Sequence, residues 1–167
     1  MRPFLVLAAL LSFSTTSLAS AEDQTGFGDL PWGSPRATVV DRLVKSSCGW
    51  SIALEKIGED TIACYDYPLE SVGPVVLNLD FRDDLLQGYT ILVPGRRFND
   101  FRSWVKKRLG EPVQVMQFTG EISTWQWPSG ATAVFRQHCM RPGEACLSLS
   151  APGAKRSQGR HSHRPGS

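Results

Sequence analysis

Histidine is scarce in this chain of 167 residues; there are three, His138, His161 and His163. General acid–base, nucleophilic and metal chemistry all need several titratable side chains brought together. His161 and His163 lie in a final stretch with no apolar face to hold them, and His138 directly precedes Cys139. A strand histidine beside a disulfide is more often solvated than catalytic. Neither a phosphate-cradling glycine motif nor a nucleophile elbow occurs in the chain. The acid pairs Glu59-Asp60 and Asp83-Asp84 stand where turn polarity accounts for them. The sequence therefore assigns no catalytic residue, no cofactor and no metal site, and gives an enzyme no support.

Long apolar runs are lacking after the first residues. Arg2, the apolar run from Phe4 to Leu11 and the small residues Ala19-Ser20-Ala21 make residues 1–21 a secretory signal peptide. That segment is too short and wrongly flanked for a membrane span. It has no cysteine near the cleavage site, which argues against a lipid anchor. The expected location is periplasmic or secreted, with peripheral membrane contact at most.

One-signed charge is missing from the body of the chain. Residues 22–150 hold 13 Lys and Arg against 16 Asp and Glu, a net of −3. Residues 151–167 carry Lys155, Arg156, Arg160 and Arg164 with no acid. The overall basic balance thus belongs to the tail, and nothing points to a nucleic-acid partner.

Four cysteines are present, Cys48, Cys64, Cys139 and Cys146. An even number behind an export signal predicts two disulfides. Three pairings are possible; Cys48–Cys64 with Cys139–Cys146 puts one bridge in each half. Neither pair has the Cys-x2-4-Cys spacing of a zinc site.

The organising stretch runs from Val75 to Val93. Leu77, Leu79 and Phe81 alternate with Asn78 and Asp80, and Tyr89, Ile91 and Val93 form a second alternating face. This is the period of two half-buried strands, joined through Arg82-Asp83-Asp84. Before it, Ser34 as N-cap and Pro35 at the first helical position open a helix with the stripe Val39, Val40, Leu43 and Val44. A weak strand is expected from Trp50 to Lys56 and a better one from Thr61 to Tyr67, with Ile62 and Cys64 on the helix side. After it, Phe98, Phe101, Trp104, Val105 and Leu109 keep helical spacing, and Gly110 and Pro112 stop that helix. Strands follow at 113–118, 122–127, 131–139 and 146–150. Residues 151–167 predict a disordered basic tail.

The two halves echo one another. Residues 64–68 match 124–128 at a separation of 60, Val40, Leu43 and Val44 match Phe101, Trp104 and Val105 at 61, and 75–77 match 133–135 at 58. The expected fold class is α+β, in two tandem similar units at 22–94 and 95–150. Each unit is one helix packed on an antiparallel sheet of about four strands.

In this arrangement Tyr65, Tyr67, Trp125 and Trp127 share the sheet face opposite the helices. They are the candidate binding residues, against the alternative that they are simply core. Arg102, Lys106, Lys107 and Arg108 make a basic helix face, suited to anionic surfaces or to plain solvation.

The pattern Trp32-Gly33-Ser34-Pro35-Arg36 into Val39-Val40, a cysteine after the helix, a second on a strand, and the hairpin Phe81 to Gly88 carry a resemblance. They resemble the small exported helix-plus-sheet family of the β-lactamase inhibitor protein and the SmpA/OmlA outer-membrane assembly lipoproteins. The resemblance covers residues 30–93 and only the outline of 95–150. It implies a non-catalytic exported protein that binds a macromolecule. The functional expectation is a binding or assembly-accessory protein of the cell envelope with a protein partner, inhibition of an exported enzyme being one form of this. The alternatives are a small envelope hydrolase or glycan-binding accessory, and a structural protein held at a membrane surface by its basic helix and tail.

Overall fold

The computed structural model describes residues 25–46, 48, 54–56, 60–139 and 143–154. The expected signal peptide at 1–21, the first part of the expected Trp50–Lys56 strand and the tail beyond Ala154 lie outside the described residues.

The described residues open on a two-stranded ribbon, β1 (Gly26–Phe27) and β2 (Leu30–Pro31). Helix α1 (Arg36–Ser46) follows, then β3 (Leu54–Lys56), β4 (Thr61–Leu69), β5 (Gly73–Arg82) and β6 (Leu85–Pro94). A 3-10 turn leads into α2 (Phe98–Leu109), then β7 (Gln114–Gln117), β8 (Glu121–Gln126), β9 (Thr132–Arg136) and β10 (Glu144–Ser150). The eight strands β3 to β10 make one antiparallel sheet in the order β3-β4-β5-β6-β10-β9-β8-β7, with β3 a three-residue edge. The central seam is β6 against β10, from Gly88 opposite Ser150 to Pro94 opposite Glu144.

Local chemistry explains the elements. The β5–β6 turn is Asp83-Asp84, both with positive φ (52° and 59°). Two consecutive left-handed residues make the tight turn whose twist suits a hairpin, and aspartate tolerates that conformation better than most side chains. Helix α2 stops at Gly110: its N–H still returns to the Lys106 carbonyl at 2.9 Å, and its φ of 73°, which glycine adopts without strain, turns the chain out of the helix beyond it. Ser34, expected to cap α1, donates its hydroxyl to the Pro31 carbonyl at 2.7 Å and so ties the helix entry to the small ribbon.

One core lies on one side of the sheet. Opposed residues share a face in an antiparallel ladder. The row Cys64–Leu77–Ile91–Leu147–Phe135–Ser123 therefore points to one side. Val39 and Leu43 of α1, and Phe101, Val105 and Leu109 of α2, join these residues in a single buried cluster. Phe101 meets Phe135 edge-on at 5.6 Å. Each such side chain contributes about 1.5–3 kcal/mol on burial.

Both disulfides have the local pairing, Cys48–Cys64 and Cys139–Cys146. The first lies in the core and ties the end of α1 to β4. Two disulfides suggest an oxidising, extracytoplasmic environment. Among the described residues no helix is long and apolar enough to cross a membrane.

The aromatic face requires correction. Trp125 and Trp127 are only 5% and 6% exposed. Trp125 stands opposite Ala133 on the helix side, and its indole N–H donates to the Gly110 carbonyl. Tyr67 also packs against the core, in edge contact with Phe27 at 5.7 Å. The cause in β4 is a bulge between Cys64 and Tyr67, with Asp66 at φ 57°. An extra residue there turns Tyr67 back to the side of Cys64. Tyr65 alone of the four is exposed, at 37%. The expected four-ring surface patch does not form.

Candidate functional site

With the helices on one side, the other face of the sheet carries no helix among the described residues. Its residues can be read along the ladders. One row is Thr61–Asp80–Gly88–Ser150–Thr132–Gln126. The next is Ala63–Asn78–Thr90–Ser148–Val134–Thr124, and a third runs Val76–Leu92–Cys146–Arg136–Ile122. The first two rows consist largely of small and hydroxyl-bearing side chains, and the third is more apolar.

The small residues leave a depression of about 680 Å³ over β4, β5, β6, β10 and β9. Gly88 keeps its floor low. A Cβ there would come within 2.9 Å of the Leu149 carbonyl oxygen, so the close approach of β10 excludes a side chain. Thr90 donates to the Ser148 hydroxyl at 3.0 Å across the central seam.

Asp80 is the distinctive group in this depression. Thr61 donates its hydroxyl to the carboxylate at 2.9 Å, and no ion pair to Asp80 forms among the described residues. Asp80 is solvent-exposed, yet desolvation by the surrounding sheet face still raises its carboxyl above the ordinary 3.8, with the Thr61 hydrogen bond opposing. Two residues along the same face, the buried Asn78 Oδ1 has no hydrogen-bond partner. Two acceptors thus stand on adjacent rows with less donation than they can take. Asp60 and Arg136 also line the depression. Asp60 lies 3.7 Å from Arg36, which binds Asp84 more closely at 2.7 Å.

A second feature lies at the end of the sheet. Among the described residues β7 pairs only with β8, and Val113, Val115 and Phe118 around it are 70%, 52% and 89% exposed. The sequence reads this segment as a strand, but its place at the edge depends on sheet order, which no local pattern carries.

The basic face of α2 is partly neutralised. Arg102 pairs with Glu121 at 2.8 Å and Lys106 with Glu111 at 2.9 Å. His138 is exposed and outside the depression. Sequence reasoning missed the depression because its residues are individually bland threonines, serines and a glycine. The signal that could have found it was the polar alternation of Asn78, Asp80, Thr90, Ser148 and Ser150.

The chain matches no protein-family model, no curated protein and no solved structure.

Proposed function

We propose that this protein is a binding module of the cell envelope, acting in the periplasm or after secretion, which receives a segment of a partner protein on the helix-free face of its sheet. The observation that carries this reading is the depression around Asp80, an accessible carboxylate without an ion pair among the described residues. A basic side chain from a partner would supply the missing charge through a charge-assisted contact, which is stronger than a neutral hydrogen bond. The small side chains around Asp80 leave room for the partner's backbone to approach. No cofactor enters this role.

The architectural part of the proposal is a duplicated unit. It is supported by the element order, a helix followed by four strands, which occurs as α1 with β3 to β6 and again as α2 with β7 to β10. The last strands of the two sets meet at the seam. Kinship with the exported inhibitor and assembly family rests on the residue pattern around Trp32–Arg36 and on that order.

The test is site-specific photo-crosslinking in envelope extract, with the photoreactive residue at Gln126 or Thr132 on the proposed face and at Lys107 on the helix side. The expected outcome is one discrete crosslinked protein from Gln126 and Thr132, none from Lys107, and loss of that product in Asp80→Lys. Equal crosslinking from both sides, or a product indifferent to Asp80→Lys, rejects the reading.

A further inference from the structure

The edge strand β7, four residues long, has none of the charge or proline that usually protects an exposed edge. Natural edges are blunted with charged residues, proline within the strand, or a cover. From Val113 to Phe118 the sequence is Val-Gln-Val-Met-Gln-Phe, without a charge and without a proline. Val113, Val115 and Phe118 are nonetheless strongly exposed. The opposite end of the sheet is different, since β3 has three residues and two of them are Glu55 and Lys56.

We infer that β7 pairs antiparallel with β7 of a second copy of this chain, joining two eight-stranded sheets edge to edge. Three features select a second copy. The strand is uncharged, so self-pairing opposes no like charges. Its apolar residues lie on both sides of the edge, so a pairing strand would cover Val113 and Val115 on one side and Phe118 on the other. The short, charged β3 is a poor partner for β7, so a twofold contact that closes is favoured over a head-to-tail contact that propagates.

Backbone geometry indicates the register. The Val113 N–H donates inward to the Thr124 carbonyl at 2.8 Å. That bond lies one residue off the ladder, in which Gln114 stands opposite Thr124. The Phe118 N–H returns to the Gly120 carbonyl in step with the ladder, so Gln114 and Met116 bond inward to β8 and the amides of Val115 and Gln117 point outward. A twofold axis at Val115 pairs Gln114 with Met116 of the second copy, and Met116 with its Gln114. Val115 lies opposite its own copy as a hydrogen-bonded pair, and Phe118 lies opposite Pro112.

Sedimentation velocity of the wild-type protein from about 1 to 100 µM, with Val115→Lys alongside, tests the inference. The expected result is a monomer–dimer equilibrium weakened at least tenfold in Val115→Lys, with an unchanged thermal melt because the site is exposed. Oxidised Val115→Cys should form a disulfide-linked dimer, and Gln117→Cys, which faces Val113 in this register, should not. A monomer throughout the range overturns the inference. So does a dimer indifferent to Val115→Lys, an open series of larger assemblies, or equal linkage from both cysteines. These results are independent of the crosslinking on the helix-free face.

Discussion

The indole N–H of Trp125 donates to the carbonyl of Gly110 at 3.2 Å, fastening β8 to the end of α2. A ring that the sequence offered as a binding surface is therefore a structural clasp. Trp125→Phe keeps an aromatic ring but removes the donor and some volume. It should cost about 1–3 kcal/mol in urea denaturation, and quenching of the Trp125 and Trp127 fluorescence by iodide should be weak in the wild type. A neutral substitution with strong quenching would remove the clasp from the account.

The two disulfides should differ in worth. Cys48–Cys64 closes a separation of 16 residues and Cys139–Cys146 one of 7. Chain entropy gives about 3 and about 2 kcal/mol respectively. Paired alanine substitutions compared by urea midpoint should show the larger loss for Cys48 and Cys64, which also lie in the core.

Asp80 should make stability fall with pH. Its folded-state carboxyl is raised above 3.8 by desolvation. Below 3.8 it is protonated in both states and carries no charge penalty. As pH rises through the interval up to the folded value, the native state holds the proton more tightly than the unfolded chain does, so its stability declines. Asp80→Asn keeps an acceptor for Thr61 and removes that step. The variant should be more stable than wild type at pH 7 and equal to it near pH 3; an equal gain at both pH values would contradict desolvation as the cause.

Glu121 is nearly buried and takes a hydrogen bond from Ser123 at 3.0 Å beside its pair with Arg102. Arg102→Met strands that carboxylate and should cost about 1–3 kcal/mol. Adding Glu121→Gln should recover part of the loss, as a double-mutant cycle reads directly.

Where local rules governed the chain, the sequence was legible. The boundaries of α2 agree with its apolar spacing and its terminal glycine, and the β5–β6 hairpin agrees with the alternation around Asp83-Asp84. Local cysteine pairing was legible for the same reason. Facing was harder. The echo at separation 58 keeps Val75 and Leu77 in step with Ala133 and Phe135, all on the helix side. The echo at 60 sets Cys64, which faces the helices, against Thr124, which faces away. A single inserted residue at the β4 bulge reverses the faces beyond it, and no period-two reading detects the slip. The depression was hidden because five strands from distant parts of the chain must assemble before its floor exists.

The seam between β6 and β10 places the last strand of the chain in the middle of the sheet. During vectorial synthesis the first helix and its meander emerge early, and β6 then waits with an unsatisfied side until Glu144–Ser150 arrives. Long-range closure of this kind slows folding and leaves an adhesive intermediate in the meantime. A nascent chain halted before Glu144 would be two half-sheets with nothing to join them, which makes β10 a checkpoint for completeness.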